Sequence, residues 1–366
     1  MIFVNDLTSD KPLNTFNNNV IEFKASDSIK AVRHALVFVN GIKYELTPNL
    51  NNIFRFNFIQ TAKVLNNLSY FKDTVEFDVT KNIIYHDLSL YNELNLQVKI
   101  VFEDGTEEVE TKLYKFLNSV EQILRLKNDV DTRLYPLTQN NLYISYLTYF
   151  EGYPFDISFY SNSNREIKVR NKSTLHEITF EVTKGVNRFL ISDGKTNISI
   201  ENILPLHIGT NDLEFKIGDE VLFTVILNKV DAKCGVYLKW FNASGGYSYW
   251  LLTNNEERSI RTKTISEINT DFESFAELKS NISITGKNVI KTKRISSQLL
   301  SENEANYLEE IFSSPKVELL NDSMYLFDKD WIGVKVLDGR VKTLSSKKKK
   351  RFFVSIQLPK LYTQKL

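Results

Sequence analysis

The segment "HALVFVNGIKYEL", His34 to Leu46, sets the expectation for the fold of the whole chain. Apolar and polar side chains alternate on either side of Asn40-Gly41, which is the pattern of two half-buried strands. Asn and Gly both adopt positive φ readily, so this dipeptide favours the tight turn of a β-hairpin. The segment therefore predicts a strand, a two-residue turn and a second strand.

The same pattern recurs along the chain. "LNLQVKIVFEDGTEEVETKLYKF", Leu94 to Phe116, alternates on both sides of a turn at Asp104-Gly105. Between residues 140 and 228, further alternating or apolar runs are separated by Gly, Asn, Asp and Ser turns roughly every 8–12 residues, a spacing typical of sandwiches and barrels. We expect a mainly β protein of tandem antiparallel β-sandwich domains with short helices.

Two short helices interrupt the strand pattern. Phe58, Ile59, Ala62 and Leu65 fit a helix of about two turns, with Asn57 as its cap. In the last third of the chain, Ser301 and Glu304 form an S-x-x-E capping box before an amphipathic run, and Pro315 ends that run. We predict an amphipathic helix near 301–313.

The 366 residues suffice for two or three domains. We place an N-terminal β-sandwich with a short helical insertion at 1–116, a second β-sandwich at 117–229, and a C-terminal β domain with the helix at 230–366. The stretch "LNSVEQILRLKND" at 117–129 is either a connecting helix or an irregular linker.

Composition excludes several classes of function. The 46 Lys and Arg balance 45 Asp and Glu, which gives no global attraction to nucleic acid or to a membrane surface. A single cysteine, Cys234, provides neither a disulfide framework nor a thiolate zinc site. The N-terminus lacks the features of a secretion signal, and no apolar stretch is long enough for a membrane span.

The search for catalytic residues is negative. The four histidines, His34, His86, His176 and His207, form no metal-binding pair, and neither a nucleophile elbow nor a P-loop occurs. We therefore predict that the protein is not an enzyme and has no catalytic, cofactor-binding or metal-binding residues. A hydrolase with a carboxylate pair is the least favoured hypothesis, since spatial pairs of that kind leave no sequence pattern.

Five consecutive cations lie near the C-terminus, at Lys347, Lys348, Lys349, Lys350 and Arg351. The favoured interpretation is a solvated turn between a strand ending at Leu344 and another beginning at Phe352. The other interpretation is contact with nucleic-acid phosphates. Because like charges repel one another, an acidic patch on a neighbouring subunit would be a natural partner for this run.

The richest aromatic cluster is "LKWFNASGGYSYWLL", Leu238 to Leu252. Alternation along its two strands makes both faces of each strand apolar, and Gly245-Gly246 provides the turn. We interpret it as a hairpin in a core or at a subunit interface; the alternative is a carbohydrate-binding platform. The candidate residues are Trp240, Phe241, Asn242, Gly245, Gly246, Tyr247, Tyr249 and Trp250.

This hairpin resembles a motif in tail-associated virion structural proteins of tailed phages of Bacteroidetes, including crAss-like phages. The resemblance rests on "CGVYLKWFNASGGYSYWLL" at 234–252, in which a Cys precedes an aromatic strand, an Asn, a Gly-Gly pair and an aromatic return strand. Three further stretches are similar: "FRFNFIQTAKVLNNLSYF" at 54–71, "YLTYFEGYPFDISFY" at 146–160 and "LSENEANYLEEIFSSPKVELL" at 300–320.

The resemblance implies a structural component of a phage virion, such as a tail, tail-ring or connector protein, with no catalytic residues and no cofactor. Its expected partners are copies of itself in a homo-oligomeric ring and other virion or tail proteins, without direct nucleic-acid contact or membrane insertion. Its expected location is the virion tail, after assembly in the host cytoplasm. The alternative function is a carbohydrate- or receptor-binding module that uses the aromatic hairpin at 238–252.

Overall fold

The computed structural model describes residues 1–7, 12–68, 70–77, 82–121, 133–138, 144–194, 200, 203–231, 234–269, 282–321, 331–344 and 349–364. Their contacts divide the chain into two units. Unit 1 comprises Met1–Val230 and Phe241–Ser248, and unit 2 comprises Asp231–Trp240 and Tyr249–Leu366. Among the described residues, each unit consists mainly of β-sheets and contains one short α-helix, which confirms the predicted tandem β-sandwich class.

The first part of unit 1 is a sandwich of two sheets. Its elements are β1 (Ile2–Asn5), β2 (Leu13–Asn14), β3 (Val20–Lys24), β4 (Val32–Val39), β5 (Ile42–Leu46), β6 (Phe54–Asn57), α1 (Ile59–Asn66), β8 (Tyr91–Phe102) and β9 (Glu107–Leu117), while β7 (Ile84–Asp87) joins a later sheet. One sheet has the order β1-β3-β6 and the other β2-β9-β8-β4-β5. Apolar side chains of both sheets, among them Phe23, Val37 and Ile100, are fully buried in one core.

The hairpin predicted from "HALVFVNGIKYEL" is confirmed. Val39 pairs with Ile42 across Asn40 and Gly41, which have φ of 46° and 85°. Helix α1 is also present, and the Asn57 side chain accepts a hydrogen bond from the Ile59 N–H at 3.0 Å. The N-cap position itself is Phe58, so Asn57 supports the start of the helix from one residue further upstream.

The second part of unit 1 is another pair of sheets. Its strands are β10 (Leu134–Pro136), β11 (Ile144–Phe150), β12 (Phe155–Ser161), β13 (Arg165–Asn171), β14 (His176–Val182), β15 (Gly185–Ser192), β16 (Gly209–Ile217) and β17 (Glu220–Val230). The sheet orders are β10-β12-β15-β7 and β11-β17-β16-β13-β14. Strand β7 therefore precedes β8 in sequence but completes a sheet of the second sandwich. Much of the stretch "LNSVEQILRLKND", from residue 122 onward, lies outside the described residues.

Unit 2 is organised around a seven-stranded sheet. The elements are β18 (Val236–Phe241), β19 (Tyr247–Leu252), β20 (Asn254–Thr264), β21 (Glu267–Asn269), β22 (Ile282–Ile284), β23 (Lys287–Ser296), α2 (Glu302–Glu309), a 3-10 turn (Glu310–Phe312), β24 (Val317–Leu320), β25 (Trp331–Leu344) and β26 (Lys349–Gln357). The sheet order is β19-β18-β24-β25-β26-β23-β20, and β21 pairs with β22. The ends of β18 and β19 nearest the hairpin turn belong to unit 1.

The amphipathic helix predicted near 301–313 is confirmed as α2 and the 3-10 turn that follows it. Ser301 Oγ accepts from the Glu304 N–H at 3.3 Å, and Glu304 Oε2 accepts from the Ser301 N–H at 2.7 Å, which completes the capping box. Ala305 and Leu308 are fully buried on its inner side. Within the described residues, no helix has the length and apolar character that crossing a bilayer requires.

Candidate functional site

The aromatic hairpin formed by β18 and β19 is buried on both faces. All twelve residues of the two strands are buried, and Trp240 and Trp250 each expose only 1% of their surface. The structure thus places these residues inside a core made by their own chain. The second face of the hairpin, for which a neighbouring subunit was one candidate cover, is already covered within the single chain.

In unit 2, the face of the hairpin that carries Trp240 and Trp250 packs on helix α2. The ring of Tyr307 lies edge-on to Trp240 at a centroid distance of 5.2 Å and 6.0 Å from Trp250. The Tyr307 hydroxyl accepts a hydrogen bond from the Tyr249 N–H at 3.1 Å. Edge-on aromatic pairs and a satisfied hydroxyl both stabilise this packing.

The second face in unit 2 contains a buried charge that the sequence pattern did not reveal. Lys239 Nζ lies 2.9 Å from Glu318 Oε2, and both side chains are largely buried. The same ammonium lies 4.4 Å from the ring centroid of Trp331, close enough for a cation–π interaction. The face is therefore aromatic with one paired cation, rather than wholly apolar.

The tip of the hairpin is organised by Asn242, which is buried in unit 1. Its Nδ2 donates to the Leu137 carbonyl oxygen and to Ser248 Oγ, each at 3.1 Å. Its Oδ1 accepts from the backbone N–H groups of Ser244 and Gly246, each at 3.0 Å. One side chain thus holds the turn and joins it to the segment that follows β10.

The two glycines of the turn are required for different reasons. Gly245 has a φ of 87°, which favours glycine, and a Cβ there would lie 3.2 Å from the backbone of Asn118. Gly246 is not in the left-handed region, but a Cβ there would lie 2.8 Å from the Leu137 carbonyl oxygen. Only one member of the pair therefore supplies positive φ, and the other allows a close approach of two backbones.

Phe241 and Tyr247 pack the tip of the hairpin against other side chains of unit 1. Phe241 lies 4.9 Å from the ring of Phe71 and 5.7 Å from Tyr247. Tyr247 in turn lies 4.5 Å from the guanidinium carbon of Arg188. The tip therefore reaches a buried ionic cluster that periodicity alone gave no reason to expect.

Arg188 on β15 is fully buried and pairs with three carboxylates. Its Nε and Nη2 donate to the two oxygens of Asp156 at 2.9 and 2.8 Å, a bidentate pair. Its Nη1 lies 2.6 Å from Asp73 and 3.3 Å from Asp87. Every residue of β15 is buried, so a cation in a strand without an exposed face was the available signal of such a cluster.

The basic run near the C-terminus is described only in part. Lys347 and Lys348 lie outside the described residues, and Lys349 begins β26. Lys350 and Arg351 lie within that strand rather than in a turn before Phe352, and Lys350 Nζ is 3.6 Å from Glu302. The preceding strand ends at Leu344, at the predicted boundary.

The described residues contain no group of three His, Cys, Asp or Glu side chains arranged to hold a metal ion. An open groove with a volume of about 540 Å³ lies beside β25 in unit 2, with Phe312, Pro315 and Val336 among its lining residues. The lining contains no cluster of titratable groups. The contacts described around the aromatic hairpin are packing contacts and charge pairs.

No protein-family model matches the sequence, and no curated protein matches it as a relative. Among solved structures, the fibronectin(III)-like modules of Clostridium thermocellum CbhA align with a TM-score of 0.20 and 7% identity, over 63% of this chain and 94% of that one. A solved structure from a 1.5-MDa bacterial ice-binding adhesin aligns with a TM-score of 0.19 and 8% identity, over 77% of this chain and 88% of that one. Likeness at this level does not extend to a ligand, a partner or a function.

Proposed function

We propose that this chain is a structural component of a tailed-phage virion, in the tail, a tail ring or a connector. In this role it acts by assembling with copies of itself and with other virion proteins. The phage assignment rests on the resemblance of the four sequence stretches, above all the aromatic hairpin. The proposal of assembly rests on a separate feature, an exposed arm in unit 2.

The arm consists of the ends of β20 and β23 that extend beyond their ladder with β26, together with β21 and β22. Its register is continuous: Ile260 lies opposite Lys291, and Glu267 lies opposite Ile284. Backbone hydrogen bonds between Ile265 and Gly286 and between Thr285 and Ser266 join the two ladders. Nearly all side chains of β20 are exposed, so the arm presents both of its faces to solvent.

Exposed isoleucines on this arm are the observation that carries the proposal. Ile265, Ile282 and Ile284 lie on one face and expose 44%, 53% and 45% of their surfaces. A two-stranded ribbon is only marginally stable in water, and clustered exposed apolar side chains mark contact surfaces. Contact with another copy or another virion protein would cover this face and stabilise the ribbon.

No observation favours the carbohydrate-binding alternative. Trp240, Tyr247, Tyr249 and Trp250, which would have to stack on sugars, each expose less than 5% of their surface. A sugar would have to displace the core of the chain to reach them. The carboxylates Asp73, Asp87 and Asp156 do lie together, but the buried Arg188 pairs with all three, so they do not favour the hydrolase hypothesis.

The test uses the two faces of the same short strand. Ile282→Asp with Ile284→Asp places charges on the apolar face, and the matched control Ser283→Asp places one charge on the opposite face. We expect sedimentation velocity to show oligomers for the wild type and for the control, and monomers for the double variant. Equal association of all three proteins would refute the proposal that the isoleucine face of the arm is a contact surface.

The phage assignment has its own test. An antibody raised against the recombinant chain, or peptide mass spectrometry, would be applied to purified tailed phages that encode it. We expect the chain in intact particles at a fixed copy number relative to the major capsid protein. Its absence from particles, with presence in infected-cell lysate only, would refute a structural role in the virion.

A further inference from the structure

The near-neutral chain divides into two units of opposite charge. Unit 1 contains 24 Lys and Arg against 29 Asp and Glu, whereas unit 2 contains 22 Lys and Arg against 16 Asp and Glu. The overall balance of charges therefore hides an acidic half and a basic half. Opposite charge on two different surfaces of one chain favours contact between unlike surfaces of two copies.

The outer side of the seven-stranded sheet in unit 2 forms a basic face. Residues opposite one another in an antiparallel pair point to the same side of a sheet, as do alternate residues along one strand. Arg294 on β23 lies opposite Ser355 on β26, and Phe353 on β26 lies opposite Arg340 on β25. The same rule extends the face over β20, and its basic members are Arg261, Lys263, Arg294, Lys335, Arg340 and Arg351.

This basic face is solvent-facing, and its six cations outnumber the two carboxylates on the same side, Glu257 opposite Arg294 and Asp338 opposite Ser355. The opposite side of the sheet carries the buried Ile295, Val354 and Ile356. Five of the six cations are exposed, and Arg351 is half-buried. Within the described part of the chain, none of the six forms a salt bridge, although other cations of unit 2, such as Lys293, do.

Unit 1 carries a complementary acidic end on its first sandwich, formed by the β8–β9 turn and the loop before β4. A hydrogen bond from the Glu103 N–H to the Ala31 carbonyl oxygen at 3.0 Å joins the two segments. The acidic end consists of the carboxylates Asp27, Glu103, Asp104 and Glu107.

These carboxylates are exposed. Lys30 pairs with Asp104 at 2.8 Å and holds the pKa of that carboxyl well below its ordinary value. Lys99 approaches Glu107 at 3.5 Å, whereas Asp27 and Glu103 form no salt bridge within the described residues. The acidic end therefore retains negative charge that its own neighbours do not neutralise.

We propose that the basic face of one copy binds the acidic end of a second copy. The inference deepens the proposed homo-oligomeric assembly and rests on it. Because the two surfaces differ, the contact is head-to-tail, and repetition of such a contact closes a ring when the rotation permits. Exposed charge pairs of this kind set orientation and partner choice and weaken as salt rises.

The test reverses each surface separately. One variant carries Arg261→Glu, Lys263→Glu and Arg294→Glu on the basic face, and the other carries Asp27→Lys, Glu103→Lys and Glu107→Lys at the acidic end. We expect each variant alone to lose association, with the apparent Kd raised about tenfold or more, since three attractive contacts become repulsive. An equimolar mixture of the two should associate again, because each reversed surface then meets its complement.

The mixture also serves as the folding control, since only folded variants can restore association with each other. Wild-type protein that stays monomeric at all concentrations would contradict the proposed function itself. Wild-type oligomers that persist in both variants, or variants that associate no better together than apart, would overturn this inference alone. Loss of double-stranded DNA binding in the basic-face variant, with its self-association intact, would assign the basic face to nucleic acid and overturn the inference equally.

Discussion

Removal of the Asn242 side chain is the sharpest perturbation of the hairpin tip. Asn242→Ala deletes four hydrogen bonds and leaves buried backbone partners, the Leu137 carbonyl and the Gly246 N–H, without replacements. A buried polar group left unsatisfied costs about 1–3 kcal/mol. With two such groups, we expect the local free energy of opening to fall by about 3 kcal/mol, a roughly hundredfold change in the opening equilibrium.

Hydrogen–deuterium exchange of peptides covering residues 241–248 is the appropriate assay, because it reports opening of the tip separately from unfolding of either unit. The matched control is Asn49→Ala. Asn49 is exposed and its Oδ1 accepts two backbone hydrogen bonds, from Asn51 and Ile53, each at 2.9 Å. Water can replace those bonds, so the control should change exchange of its own loop far less. Unchanged protection of the tip in Asn242→Ala would refute the assigned role of this side chain.

Three further predictions concern unit 1. Gly246→Ala should destabilise it by about 2–3 kcal/mol in urea unfolding, because the new Cβ meets the Leu137 carbonyl oxygen at 2.8 Å. Its control is Gly218→Ala, where a Cβ meets nothing within 4 Å and only the φ of 60° is unfavourable, so that this change should cost about 1 kcal/mol. Arg188→Met leaves buried carboxylates unpaired and should cost about 3–5 kcal/mol, seen as a lower thermal midpoint. Burial raises the pKa of Asp6, but hydrogen bonds from Lys112 and Tyr114 outweigh it and leave that pKa below its ordinary value. The ionised Asp6 therefore stabilises the folded state above about pH 4, and this stabilisation is lost as pH falls further. In Asp6→Asn, the free energy of unfolding should depend less steeply on pH in this acidic range, because one fewer group takes up a proton.

Local features of the fold were readable from the sequence because their causes are local. The turns at Asn40-Gly41 and Asp104-Gly105 follow from positive φ, and Gly105 indeed has a φ of 82°. The capping box at Ser301 follows from hydrogen bonds across a single helical turn. Alternation of side chains over two residues was enough to indicate the strands and the fold class.

Long-range features were not readable, because nothing in a strand pattern names its partner. Strand β7 pairs with β15 about a hundred positions later in the chain, and alternation of side chains is the same in either sandwich. The partners of Lys239 and Arg188 are likewise distant in sequence, so the pattern of each strand does not name them. The division into an acidic and a basic unit also depended on where the contacts divide the chain.

The aromatic hairpin shows both what a sequence pattern indicates and what it leaves open. Its two-sided apolar pattern correctly indicated strands without an exposed face, yet the pattern fits equally well a core and a subunit interface. Because Trp240 and Trp250 are buried in their own chain, the candidate contact surfaces are the exposed arm and the charged surfaces.

The oligomeric state of the wild-type chain is the most direct test of the proposed assembly. Native mass spectrometry of the purified wild-type chain, with negative-stain imaging of the same sample, gives both the copy number and the symmetry. We expect a closed ring of one fixed copy number that dissociates as salt is raised. A monomer that persists from low to high micromolar concentration at low salt would contradict it.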